Sequence, residues 1–255
     1  MDSSPSARSP LDQAALQEVA GPQWQVRLYA EAGSTNELAA ADPARHRVVV
    51  ADHQQAGRGR LDREWVTPPG AALTFSAVFD PVVDIEWWPL LPLVAGYAVA
   101  RALGGFATLK WPNDVMIDDH KVCGILVERV NTRPPMVVIG IGINVDQTAD
   151  ELPVPTATSL ALAGHPVDRT ALFGDVVHSL RTWLGMFARS PKTFMNQYRG
   201  RSATLDRDVQ VALAGDRVVE GRVVDLDQHG RLVLETVDGP LTLSAGDVVH
   251  LRPAE

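Results

Sequence analysis

The reading of this chain turns on residues 51–65, ADHQQAGRGRLDREW. The segment follows Arg47-Val48-Val49-Val50, an apolar run that reads as a strand, and it passes through Gln54-Gln55. It then sets Arg58, Arg60 and Arg63 in a stretch punctuated by Gly57 and Gly59. Glycine lets backbone N–H groups face a ligand with no Cβ in the way. Arginine forks hold carboxylate or phosphate oxygens in bidentate fashion. The loop therefore suits an anion clamp, although the same composition also serves an ordinary solvated loop.

Further segments narrow the choice: KWPND at 110–114, KVCGILVE at 121–128 and GIGINV at 140–145. In this order, after GRGR and Trp65, they resemble the catalytic domain of biotin protein ligases. The resemblance runs from about Val26 to Leu160, with a family-like tail to Pro253. It implies an α+β fold: a mixed-sheet biotin/lipoate-ligase-like catalytic domain with a small C-terminal SH3-like β-barrel. The expected boundaries are an arm and short helix over 1–22, the catalytic domain over 23–200 and the barrel over 201–255. Asp62 stands where the family usually has glycine.

Composition fits that class. A chain of 255 residues that is 45% hydrophobic can bury a core and hold one large domain or two smaller ones. A net charge of −8 argues against a nucleic-acid partner, which needs clustered positive charge, but leaves room for a local ATP site. A single cysteine, Cys123, excludes an internal disulfide and a cysteine zinc cage; a buried small hydrophobe is its expected role. The Ser/Pro-rich start has no signal-peptide pattern, and no apolar run approaches the roughly 20 residues of a membrane span, so a cytoplasmic protein is expected. Too few residues precede Trp24 for a winged helix-turn-helix, so the chain resembles the non-regulatory ligases that lack one.

Periodicity places the motifs. Helical spacing predicts a helix over 11–20, ended by Gly21-Pro22, and a strand follows over 26–29. Ser34 with Glu37 three positions on is a capping box, opening a helix through Ala41. Residues 71–79 alternate as a half-buried strand, and Trp87-Trp88-Pro89 leads a helix through Leu103. Strands are expected over 107–111, 121–130 and 136–145, with a hairpin turn at Asp118-Asp119-His120. Asp168 caps a helix over 170–187, and a shorter helix spans 193–199. Short alternating strands after Gly200 read as a small barrel.

The resemblance assigns chemistry residue by residue. It implies that biotin's carboxylate attacks the α-phosphate of ATP, giving biotinyl-5′-adenylate, and that a carrier lysine then displaces AMP. The partner would be a biotin carboxyl carrier protein or the carrier domain of a biotin-dependent carboxylase, and the oligomeric state stays open. Ser34, Thr35 and Asn36 would meet biotin's ureido ring, joined by Gln54; Ser34 is also fully explained as a cap. Arg58 and Arg60 would hold carboxylate and phosphate oxygens, and Gly59 its amide, while Lys121 would bridge the biotin carboxyl and the α-phosphate. Arg63, Trp65, Lys110, Asn113 and Asn144 would line the ATP or adenylate side, with Trp65 stacking on adenine or sitting in a core. Asp114 would serve magnesium that enters with ATP, or position lysine; Asn-Asp after proline is also a turn signal. No structural metal is expected. Asp62 sets a carboxylate between Arg60 and Arg63 and should loosen the clamp without abolishing activity.

The alternatives are a lipoate or octanoate ligase, which shares this fold, and a catalytically impaired biotin-binding module. GRGR before tryptophan and KWPND ahead of KVCGILVE weigh against the first.

Overall fold

The computed structural model describes residues 8–60, 63–215 and 217–251. Asp62, with Leu61, lies outside the described residues, as do residues 1–7, 216 and 252–255. The chain forms two compact units. One joins the residues up to Pro81 with Ile117–Ser179, and the other joins Val82–Met116 with the residues from Leu180 onward.

In the first unit β1 (Gln25–Ala32) and β2 (Arg47–Gln54) are parallel, linked by α2 (Thr35–Ala41). β2 then pairs antiparallel with β5 (Ala72–Phe79), β5 with β9 (Met136–Asn144), and β9 with β8 (His120–Val130). The sheet is thus mixed. A short pair, β3 (Gly57–Arg58) and β4 (Glu64–Trp65), closes the arginine loop as a hairpin. Asp118 and Asp119 take φ of 47° and 61°, the left-handed pair that a tight hairpin turn requires.

β5 corrects the expectation of a half-buried strand: all eight of its residues are buried. Helices cover both of its faces. Ala39 of α2 packs with Val49, Val78 and Val138 on one side, and Phe173 of α4 (Arg169–Arg189) meets Phe75 edge-on at 5.3 Å on the other. Thr74 and Ser76 are therefore polar residues inside a core, and each makes a hydrogen bond there.

The edge strand β1 is sealed by side chains of α1 (Gln13–Ala20). Gln13 accepts from Leu28 N–H at 2.7 Å and donates to Val26 O at 2.9 Å. Gln17, one turn on, accepts from Val26 N–H at 3.0 Å and donates to Trp24 O at 2.9 Å. Two glutamines thus stand in for a missing neighbour strand, which protects an edge that would otherwise pair with another chain. Gln17→Ala should lower the unfolding free energy by about 1–2 kcal/mol in a urea titration; an unchanged midpoint would remove this role. The preceding arm is tied down by Arg169, which donates to Ser9 O at 2.6 Å and pairs with Asp52 at 2.8 Å.

In the second unit the run from Trp87 is not one α-helix. Ile85–Leu90 is a 3₁₀ turn containing Pro89, and α3 (Leu91–Leu103) starts afresh with Pro92 in its first turn. Proline lacks the N–H that a helix interior needs, so the regular helix begins where Pro92 costs nothing. β6 (Thr108–Lys110) pairs with β7 (Asp114–Ile117). The C-terminal strands are β10 (Asp208–Ala212), β11 (Val218–Leu226), β12 (Leu232–Thr236), β13 (Gly239–Leu243) and β14 (Asp247–His250). They form an antiparallel sheet in the order β13-β12-β11-β10-β14. Trp111, only 2% exposed, anchors this unit: its backbone N–H donates to Thr204 Oγ1 at 3.0 Å and its indole to Gly230 O at 2.8 Å. Its lost indole bond should make Trp111→Phe less stable by about 1 kcal/mol or more, read as a lower denaturant midpoint.

Candidate active site

The site residues of the first unit converge on the ends of β2, β8 and β9 beside the start of α2. The cap forms as the local sequence dictates: Ser34 Oγ accepts from Glu37 N–H at 3.4 Å. The Glu37 carboxylate, however, turns to Arg58, Nη2 to Oε1 2.6 Å. Arg58 thus already holds a carboxylate, at a position well exposed to solvent, so the pairing is loose and replaceable.

Beneath this pair lies a buried polar chain. Gln54, closing β2, accepts through Oε1 from Thr35 N–H at 2.9 Å, and Thr35 Oγ1 lies 3.1 Å from the same oxygen. Ser76 Oγ lies 2.7 Å from Thr35 Oγ1 and 2.5 Å from Asn36 Oδ1. Asn36 in turn donates to Leu126 O at 3.4 Å and to Glu128 Oε2 at 2.6 Å. Thr35 and Gln54 therefore stand where a polar ring could be read. Asn36, as buried as both, gives its amide hydrogens to protein acceptors.

Lys121 is fixed by its backbone. Its N–H donates to Thr156 O and its carbonyl accepts from Thr158 N–H, both at 2.8 Å. Its Nζ sits 5.8 Å from the centre of the Trp65 ring, within cation–π range. Trp65 itself covers glycine. A Cβ on Gly142 would stand 2.5 Å from the indole Cε2, and one on Gly124 would stand 3.0 Å from Cζ3 and 3.2 Å from Lys121 Nζ. The indole N–H is buried with no acceptor among the described residues. Lysine, tryptophan and two side-chain-less strand positions thus share one small area.

Asn144 is also committed to the protein. It donates to Thr158 O at 2.9 Å and accepts from Gln147 at 3.0 Å, so it braces the segment that holds Lys121. The Gly59 amide is spent within the arginine loop on Arg63 O at 2.6 Å, and Arg63 N–H reaches Arg60 O at 3.3 Å. The departure at Asp62 lies outside the described residues. Lys110, Asn113 and Asp114 belong to the second unit, on and beside β6 and β7. Asp114 there lies close enough to Tyr198 to add to its shift: burial first, then the Asp114 charge, pushes that phenol far above its ordinary value. Cys123 is fully buried in the strand core, as a small apolar residue.

Sequence reasoning passed over Ser76, Glu128 and Thr158. Ser76 reads as the outward half of an alternating strand, and Thr158 acts only through its backbone. Glu128 closes the KVCGILVE motif, so it was within sight.

Residues 32–144 match the biotin/lipoate A/B protein ligase family, and residues 204–251 match the biotin protein ligase C-terminal domain. A biotin–[acetyl-CoA-carboxylase] ligase from Mycobacterium tuberculosis is 36% identical, covering 96% of this chain and 97% of the relative. The bifunctional ligase/repressor BirA of Bacillus subtilis is 31% identical over 84% of this chain and 69% of its own length. The solved biotin protein ligase from Aquifex aeolicus, in complex with biotin and ATP, superposes with a TM-score of 0.76 at 29% identity. That match covers 89% of this chain and 99% of the other.

Proposed function

We infer the activity from one premise: this chain belongs to the biotin/lipoate A/B protein ligase family. It is a ligase that uses ATP to attach biotin to a carboxylase's biotin carboxyl carrier protein, through biotinyl-5′-adenylate. The single observation that carries this reading is the meeting of Lys121, Trp65 and the glycines of β8 and β9 beside the Thr35–Gln54 pair.

Both half-reactions move negative charge. A biotin carboxylate oxygen attacks the α-phosphorus, the bond to the β-phosphate oxygen breaks, and pyrophosphate leaves. The neutral amine of the carrier lysine then attacks the acyl carbon, AMP leaves and a proton is released. Two anions repel, so fixed cations supply most of the stabilisation. In this reading Lys121 bridges the carboxylate and the α-phosphate, and Arg58 exchanges Glu37 for a ligand oxygen. Arg60 and Arg63 take phosphate oxygens, with the Gly59 amide available once the loop opens. Thr35 and Gln54, beside Ser34, read the ureido ring, and Asn36 supports them from beneath. Trp65 leaves its place over Gly142 to cover the adenine. Lys110 and Asn113 serve the nucleotide, and Asn144 acts by holding the segment beside Lys121.

Magnesium fits as an ion that arrives with ATP. The described residues contain no cluster of three or more metal-binding side chains, whereas a single carboxylate such as Asp114 suffices for an ion held chiefly by phosphates. When bound, it would neutralise phosphate charge. No described helix is long and apolar enough to cross a membrane.

The test is exchange of labelled pyrophosphate into ATP. Exchange that depends on biotin, needs no carrier and is not supported by lipoate is expected; exchange driven by lipoate instead would favour the lipoate-ligase reading.

A further inference from the structure

We propose that Glu128 and Ser76 are positioning residues that set the hydrogen-bond polarity of the biotin pocket through Asn36, an inference that rests on the ligase reading above. Neither side chain need touch a substrate. The Glu128 carboxylate can only accept, so at 2.6 Å it compels Asn36 to point its NH₂ outward along the sheet. Leu126 O takes the second amide hydrogen. The Asn36 carbonyl oxygen must then face Ser76, 2.5 Å away, and Ser76 must spend its one hydroxyl hydrogen there. Ser76 is left presenting a lone pair to Thr35 Oγ1 at 2.7 Å, so the Thr35 hydroxyl turns its one hydrogen to Ser76. Thr35 is thereby left with its hydroxyl lone pair facing outward, while its N–H alone fixes Gln54 Oε1 as an acceptor, so the pair is held in one donor–acceptor pattern.

The arrangement is confined. Asn36 and Ser76 are 6% and 0% exposed, and a Cβ on Gly140 would overlap Asn36 Oδ1 and lie 2.9 Å from its Cγ. The chain has no room to rotate, so its direction is set at its one charged and exposed end, Glu128. Biotin's ureido ring offers one carbonyl acceptor and two N–H donors. A pocket with its polarity fixed in advance reads that pattern at no reorganisation cost, because a mismatched buried donor or acceptor is expensive.

The experiment compares wild type, Glu128→Ala and Glu128→Gln by steady-state pyrophosphate release and thermal melting. Glu128→Ala is expected to raise the KM for biotin about tenfold, the scale of one hydrogen bond to a charged group. Its kcat, its KM for ATP and its melting temperature should stay close to wild type. Glu128→Gln keeps an acceptor but permits the reversed amide, so its biotin KM should fall between the two. An unchanged biotin KM in Glu128→Ala overturns the proposal alone. So does a parallel loss in ATP KM or kcat, which would mark a merely structural residue. Wild-type protein that releases no pyrophosphate with biotin overturns the ligase reading, and this proposal with it.

Discussion

Replacing Lys121 by alanine is expected to slow biotinyl-adenylate formation about a hundredfold while leaving the fold intact, a loss of about 3 kcal/mol in transition-state stabilisation. The fold should survive because what fixes this residue is its backbone, held by Thr156 and Thr158, and alanine keeps both hydrogen bonds. The side chain runs past Gly124 toward Trp65 and supports no core cluster. The chemistry should suffer because the ammonium is the cation placed beside the glycine positions of β8 and β9, where two anions would have to meet. Pyrophosphate release in single-turnover conditions measures the effect. A near-normal rate with an unaltered melting temperature would remove Lys121 from the mechanism.

Gly140→Ala should abolish tight biotin binding, with at least a tenfold loss of affinity and about 1–3 kcal/mol of stability. The added methyl meets Asn36 Oδ1 head-on, and Asn36 has nowhere to go while Ser76 and Glu128 hold it. Either the amide leaves the network or β9 shifts; both break the pattern that orders Thr35 and Gln54. Gly185→Ala is the control. A Cβ there meets nothing within 4 Å, and within α4 the substitution should stabilise by about 0.5–1 kcal/mol. Calorimetric titration with biotin reads the first effect and denaturant unfolding both. Unchanged biotin affinity in Gly140→Ala would show that the network does not shape the pocket.

What could be read from the sequence was what is decided locally. Ser34 caps α2 because its hydroxyl finds an N–H three residues away, and Asp168 caps α4 in the same way. The turn at Asp118-Asp119 likewise follows from the residues themselves, whereas the helix expected to open at Trp87-Trp88-Pro89 instead starts afresh at Leu91, after a 3₁₀ turn. Burial by distant elements could not be read. Alternation in β5 points Ser76 to solvent until Ala39 of α2 and Phe173 of α4 cover the sheet on both faces. The motif asparagines show the same limit. Asn36 and Asn144 have the polarity of ligand contacts, yet their partners, Glu128, Leu126, Thr158 and Gln147, all come from other segments. Gln13 and Gln17 look like the wet face of a short helix and instead close the edge of β1.

The most direct measurement is mass spectrometry of an isolated biotin carboxyl carrier domain after incubation with this protein, ATP, magnesium and either biotin or lipoate. The account predicts one biotin adduct on one carrier lysine, dependent on ATP and greatly slowed in Lys121→Ala, with no lipoyl adduct. A carrier left unmodified by biotin, or modified by lipoate in its place, would contradict it.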